Sequence, residues 1–393
     1  MPSFKVMDVV AQAAALERDG KSIYHLEVGQ PQSTAPAHAL AAVNAAIASG
    51  DRLGYTPANG ERPLREAIAQ MYLDTYGVAV PAERVHVTIG SSSGFTLSFL
   101  AAFDVGDAVA IPMCSYPCYR NILQTLGVQV VPLETDDCYK LTAALLKSSV
   151  NARRKSGLPP LKGLILSSPA NPTGVMLTPD EVRGLCATCD ENGILFCSDE
   201  IYHGISYKDA PRAATALEFS QQALVINSFS KYYSMTGWRI GWLVAPVELS
   251  DAINRLNQNL FISAPTASQR AALAALQPAA KPELEGHVAR YEQNRQVVLD
   301  ALARMGITDV APAHGAFYIY VDLGRFGVTD SAAFSAKLLD EIGVALTPGI
   351  DFEYPGSGRG ERRIRLSFCG ATADIEAGMQ KLAGWWEQYL GHA

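Results

Sequence analysis

An α/β fold, with a mostly parallel sheet of about seven strands and a smaller α+β unit beside it, is predicted by three observations. Short, nearly continuous apolar runs recur through residues 60–250, and amphipathic helical stretches separate them. After residue 280 the alternation stops, and a charged helical pattern leads into isolated strand-like runs. Runs apolar on both faces suit strands covered on both sides. Strand–helix alternation over this length builds a largely parallel sheet.

Each element follows from its own pattern. Val6, Val9, Val10, Ala13 and Leu16 share one helical face and end at Gly20, which predicts an amphipathic helix and not a secretory segment. The expected strands are Val85–Thr88, Ala108–Ile111, Val128–Val131, Leu164–Leu166, Ile194–Cys197, Leu224–Ile226 and Ile240–Val244. Between them, Leu64, Ala67, Ile68, Met71 and Tyr72 mark one helix face, and Leu97, Leu100 and Ala101 another. A long helix is expected from Lys281 to Leu302 as a strut. Strands at Gly315–Val321 and Ile364–Phe368 then flank a helix near 330–342. The expected division is an N-terminal segment 1–45 joining the small unit, a large unit 46–285 and a small C-terminal unit 286–393.

Composition narrows the function. Of 393 residues, 48% are hydrophobic and only 18% charged, so the chain can bury enough surface to exclude disorder. A net charge of −7, with no basic stripe, argues against nucleic acid or an anionic membrane as partner. No apolar run is long enough to span a bilayer, and a cytoplasmic location is expected. Seven scattered cysteines include a single CxxC, Cys186 to Cys189, within a helical pattern. With no second pair to complete a zinc set, reduced thiols and no metal are expected.

Chemistry-bearing residues concentrate where strands end. Ser228-Phe-Ser230-Lys231 follows one apolar run, with Arg239 eight residues beyond the lysine. Two hydroxyls and an arginine around an amine could hold a phosphate, and a buried lysine can be a Schiff-base nucleophile. Asp199-Glu200-Ile-Tyr202 follows another run. This acidic pair could bind a metal, orient a ring nitrogen or cap a helix, although no histidine ligand is expected near it. Asn171-Pro-Thr-Gly174 forms a rigid turn after a third run. Gly90-Ser91-Ser92-Ser-Gly94 stands between a strand and a helix, where free backbone amides form an anion site. It is neither a Walker loop nor GxGxxG, which weakens the triphosphatase and dehydrogenase readings. Open α/β folds gather ligands at this edge of the sheet.

In this order, Asn171-Pro-Thr-Gly, Asp199-x-x-Tyr202 and Ser228-x-Ser230-Lys231 with Arg239 resemble the class I/II aminotransferases of pyridoxal-phosphate fold type I (aspartate aminotransferase-like). The resemblance runs from Leu26-Glu-Val-Gly29-Gln-Pro to Arg365. It implies pyridoxal 5′-phosphate as cofactor, with Lys231 forming the internal aldimine and shuttling a proton. It further implies Asp199 at the pyridine nitrogen, and Tyr202 and Asn171 at the ring O3′. Ser91, Ser92, Ser228, Ser230 and Arg239 would hold the phosphate, and Tyr116 would stack on the ring. Tyr55 would reach the phosphate of a neighbouring subunit, which implies a homodimer with sites at the interface. Arg365 would clamp the substrate α-carboxylate and Gly29 would offer backbone to it, with Arg362 and Arg363 close competitors in sequence. The expected reaction is ping-pong exchange of an amino group between an L-amino acid and a 2-oxo acid. A β-lyase on the same fold is the alternative. Arg62 or Arg120 could supply a second cation for an acidic side chain, or be solvated or structural, while Phe317 and Tyr318 could favour an aromatic or aliphatic one.

Overall fold

The computed structural model describes residues 4–392. Its centre is a seven-stranded sheet of β1 (Val85–Thr88), β2 (Ala108–Pro112), β3 (Gln129–Leu133), β4 (Leu161–Ser167), β5 (Leu195–Asp199), β6 (Leu224–Ser228) and β7 (Gly241–Val244). Each expected strand is present within a few residues. The spatial order is β1-β7-β6-β5-β4-β2-β3. All pairings are parallel except those of β7, which runs antiparallel to β1 and to β6. Every residue of β1, β2, β6 and β7 is buried. Apolar clusters on both faces account for this, one around Leu64, Leu164 and Trp242, the other around Phe95, Ile165 and Leu243.

A second sheet holds three antiparallel strands, β8 (Tyr318–Asp322), β9 (Thr347–Pro348) and β10 (Arg363–Ser367), in the order β9-β10-β8. Helices Ser331–Ile342 and Thr372–His392 accompany it. Its core gathers Phe317, Ile319, Leu338, Leu366 and Trp386, and also Tyr202 and Ile205 from beyond β5.

Helix α1 (Lys5–Arg18) places Ala13 against Leu339 and Ala345, so the amphipathic face read from the sequence covers the smaller sheet's neighbourhood. Tyr24–His25 pairs in parallel with Val344–Ala345. Helix Ala37–Ala48 instead packs on helix Thr266–Ala275 beside the large sheet. The chain therefore crosses between the two regions ahead of residue 45. The expected strut is α2 (Lys281–Arg304), which contains the junction expected at 285–286.

Local chemistry sets the remaining boundaries. Thr178 and Glu181 form a reciprocal capping box at the start of helix Pro179–Asn192, and Gly193 ends that helix at φ +64°. Cys186 and Cys189 lie buried within it, and all seven cysteines are free thiols. Among the described residues, no helix is long and apolar enough to cross a membrane.

Candidate active site

The parallel strands end on one line: Ser167 of β4 is in register with Asp199 of β5. Chain leaving these ends, together with β10 and the first turn of α1, encloses a cleft of about 350 Å³. Ser91, Ser92, Tyr116, Asn171, Asp199, Tyr202, Ser230, Lys231, Arg239, Gly29 and Arg365 all line it. Two expected residues do not. Ser228 lies beneath the surface, its Oγ accepting the Ser230 amide at 3.0 Å, so it supports Ser230 without facing the cleft. Tyr55, expected at the site of a neighbouring subunit and not at this one, is 86% exposed.

Lys231 is largely buried, and its Nζ donates to the Gly29 carbonyl at 2.6 Å. Burial lowers its pKa to about 8, and the positive charges of Arg365 and Arg239 act in the same direction. Asp199 is fully enclosed, and burial raises its carboxyl to about 6. Its Oδ1 accepts the Ile201 amide at 3.2 Å and its Oδ2 accepts the Tyr119 hydroxyl. Tyr119 escaped the sequence reading. The signal was its place three residues after Tyr116, at the start of helix Pro117–Thr125, where i and i+3 share a face.

Arg365 leaves β10 into the cleft, sandwiched between the rings of Tyr318 (4.3 Å) and Phe352 (4.6 Å). It donates to Asn171 Oδ1 at 2.9 Å, to Thr347 Oγ1 at 3.2 Å and to the Glu27 carbonyl, while its buried Nε has no partner. Arg363, on the same strand face, is taken up by Glu353 at 2.6 Å and Asp322 at 3.0 Å. Arg362 also pairs with Asp322. Of the three candidates, only Arg365 lines the cleft.

At the other end stands helix Gly90–Ala102, whose N-terminus receives no side-chain cap. Its first amides are thus left for a ligand. Gly90 has φ +68°, and a Cβ there would lie 2.4 Å from Arg239 Nη2. The missing side chain is what lets the guanidinium settle over the helix end. Arg239 itself has φ +48° and bonds the Thr236 carbonyl through Nη1.

The Asn171 turn is pressed against the lead-in to β8. A Cβ on Gly174 would lie 2.8 Å from Ala313 Cα, and one on Gly315 would lie 2.7 Å from the Ile205 carbonyl. Two backbones meet here, joined by the Gly315 amide and the Gly174 carbonyl at 2.9 Å. The Tyr202 hydroxyl lies 2.8 Å from that of Tyr318, which lines the cleft, while Phe317 sits behind Lys231.

Glu200 has a different task from Asp199. Its Oε1 accepts the Ala216 amide at 2.9 Å and the Thr215 hydroxyl at 3.1 Å, capping the turn Ala216–Glu218. Burial pushes it up to about 8. Contrary to the expectation of no nearby histidine, His203 Nδ1 lies 3.6 Å from Glu200 Oε2, three residues along the chain in the turn after β5. That pair still makes no metal site: among the described residues no group of three His, Cys, Asp or Glu is arranged to hold one. Arg62 is exposed and paired with Glu66, and Arg120 is buried against the Asp351 carbonyl. Neither lines the cleft.

The chain is similar to known proteins along nearly its whole length. The family model for Aminotransferase class I and II matches residues 21–382. The chain is 43% identical to the valine–pyruvate aminotransferase of Mycobacterium tuberculosis, over 98% of this chain and 96% of that one. It is 35% identical to the (5-formylfuran-3-yl)methyl phosphate transaminase of Methanocaldococcus jannaschii, over 97% and 96%. The crystal structure of an aminotransferase from Mycobacterium tuberculosis superposes with a TM-score of 0.93 at 43% identity, covering 99% of this chain and 97% of the other. These relatives are transaminases, which disfavours the β-lyase alternative. With the family model spanning nearly the whole chain, this protein belongs to the class I and II aminotransferases.

Proposed function

We propose that this aminotransferase uses pyridoxal 5′-phosphate to exchange the amino group of an aliphatic L-amino acid with a 2-oxo acid, by a ping-pong route. One observation carries the reading: Lys231, Asp199, Arg365 and the Arg239 cradle share a single cleft. The donor set fits the cofactor. Ser91, Ser92, Ser230 and Arg239 would hold its phosphate at an uncapped helix N-terminus, where amides and the helix dipole both favour an anion. Asp199 would face the pyridine nitrogen, Tyr116 the ring face, and Asn171 with Tyr202 the ring oxygen. Bound there, pyridoxal phosphate supplies the electron sink that lets a substrate Cα–H bond ionise.

The protein's own groups do the rest. Arg365 grips the α-carboxylate through paired N–H bonds and so sets the orientation of the Cα–H bond. Lys231 Nζ would take the proton from the substrate Cα, and the Gly29 carbonyl accepts from that amine and holds it in place. Its lowered pKa raises the neutral fraction near physiological pH. Asp199 would hold a proton on the ring nitrogen of the bound group. An aliphatic donor is supported by the apolar lining from Val6, Met7, Val28 and Ile201, and by the relative named for valine and pyruvate.

Tyr55 is proposed to complete the phosphate site of a second copy, which makes the working unit a homodimer. The large and small units are proposed to meet at the helix α2 strut. Visible absorbance tests the whole reading. A cofactor band that bleaches with valine and returns with pyruvate is expected. A protein that never acquires the band would refute it.

A further inference from the structure

Helix α1 begins at the cleft, and its first turn contributes Phe4, Val6 and Met7 to the lining. A helix start leaves its first amides without intrahelical partners. Here those of Lys5 and Val6 are taken up by the carboxylate of Asp351, at 3.2 Å to Oδ1 and 3.2 Å to Oδ2. One side chain thus satisfies both donors, with its negative charge at the positive end of the helix dipole. Asp351 is buried, and its own carbonyl accepts from Arg120, which fixes the residue from behind. The clamp is also tied to the carboxylate-binding arginine. Asp351 ends the turn Gly349–Asp351 that follows β9, and Thr347 of β9 pairs with Arg365. The segment that supports Arg365 therefore also sets where α1 begins. Phe4 meets Tyr116 edge to face at 5.9 Å, which closes this apolar wall onto the tyrosine of the cleft. Cations within the cleft are Lys231, Arg239 and Arg365, each with a role in the reading above.

We propose that Asp351 is a positioning residue for substrate selection: by clamping the first turn of α1 it holds Phe4, Val6 and Met7 against the substrate side chain, favouring branched aliphatic substrates. The inference rests on Arg365 binding the α-carboxylate. Arg120, a candidate ligand for an acidic side chain on sequence grounds, serves the clamp instead.

The test compares two 2-oxo acids, 3-methyl-2-oxobutanoate and pyruvate, which differ only in the apolar branch. Their Kd values for the purified holoenzyme are measured by calorimetry. Asp351→Ala is expected to weaken the branched acid about tenfold more than pyruvate, the scale of a lost apolar contact in a pocket. Asp351→Asn, which keeps one acceptor, should fall between Ala and wild type. Val6→Phe, which fills the wall and keeps the Asp351 carboxylate and the backbone amides it binds, should penalise the branched acid by a similar ratio. An unchanged ratio in Asp351→Ala and Val6→Phe, or equal weakening of both acids, would overturn the proposal, because a purely structural role moves both together. A tenfold loss of discrimination in Asp351→Ala, in a protein whose wild type exchanges no amino group, would refute the proposed reaction and support the clamp.

Discussion

Replacing Arg365 with lysine keeps the positive charge and removes the fork. In the structure the guanidinium serves Asn171 Oδ1, Thr347 Oγ1 and the Glu27 carbonyl at once, from a slot between two rings. A lysine ammonium is a shorter-reaching point donor and cannot span all three. Leaving one or two buried acceptors unpaired costs about 1–3 kcal/mol each, so a stability loss of about 1–6 kcal/mol is expected. On the substrate side, a paired N–H grip becomes a single contact. One charge-assisted hydrogen bond, at about 1.5–3 kcal/mol, corresponds to a rise in KM of roughly 10- to 150-fold. Steady-state kinetics with valine and pyruvate would measure this, and thermal unfolding would follow stability. Isobutylamine, which lacks the α-carboxylate, supplies the control: its slow cofactor-dependent reaction should respond far less. If Arg365→Lys left both KM values unchanged, or weakened isobutylamine as much as valine, the assignment of Arg365 to the carboxylate would be refuted.

Three further outcomes are expected. Lys231→Ala should fold and take up cofactor yet lose at least about a hundredfold in turnover, since positioned proton transfer contributes that much or more; near-normal rates would sink its role. In cofactor-free protein the lowered Lys231 pKa means the unfolded chain binds more protons between about pH 8 and the ordinary lysine range, so stability should rise with pH across that window. Thermal melts of wild type against Lys231→Met would show the slope and its loss. Gly90→Ala would place a Cβ 2.4 Å from Arg239 Nη2 at φ +68°. It should cost about 1–2 kcal/mol of stability and weaken cofactor binding, read by fluorescence titration; unaltered affinity would mean that Arg239 does not hold the phosphate.

Much of this was legible in the sequence because it rests on short-range patterns. Each strand of the large sheet is an apolar run, and each chemical motif sits just beyond one, so periodicity and punctuation locate both. What was not legible depends on pairing between distant segments. Nothing in Gly241–Val244 marks it as antiparallel to β1 and β6. Arg363 and Arg365 share a strand face, and only Glu353 and Asp322, recruited from elsewhere, take up the first and leave the second for the cleft. Tyr119 was overlooked because its partner Asp199 is 80 residues away. Ser228 was assigned outward by its motif, whereas the turn buries it under Ser230.

The contact between Gly174 and Gly315 bears on the entropy of recognition. With no side-chain volume between Gly174 and Gly315, the Asn171 turn has nothing to repack against its neighbour and little room to shift. Its order is established when the chain folds. A ligand meeting Asn171 and Arg365 therefore finds groups already immobilised, and its contacts there convert into affinity with little ordering penalty. The Met7 side chain, exposed on the turn whose backbone Asp351 clamps, must by contrast still surrender rotamer freedom when a ligand arrives. Recognition is thus divided: the end of the substrate common to all amino acids meets the preorganised side, and the variable end meets the side that adapts.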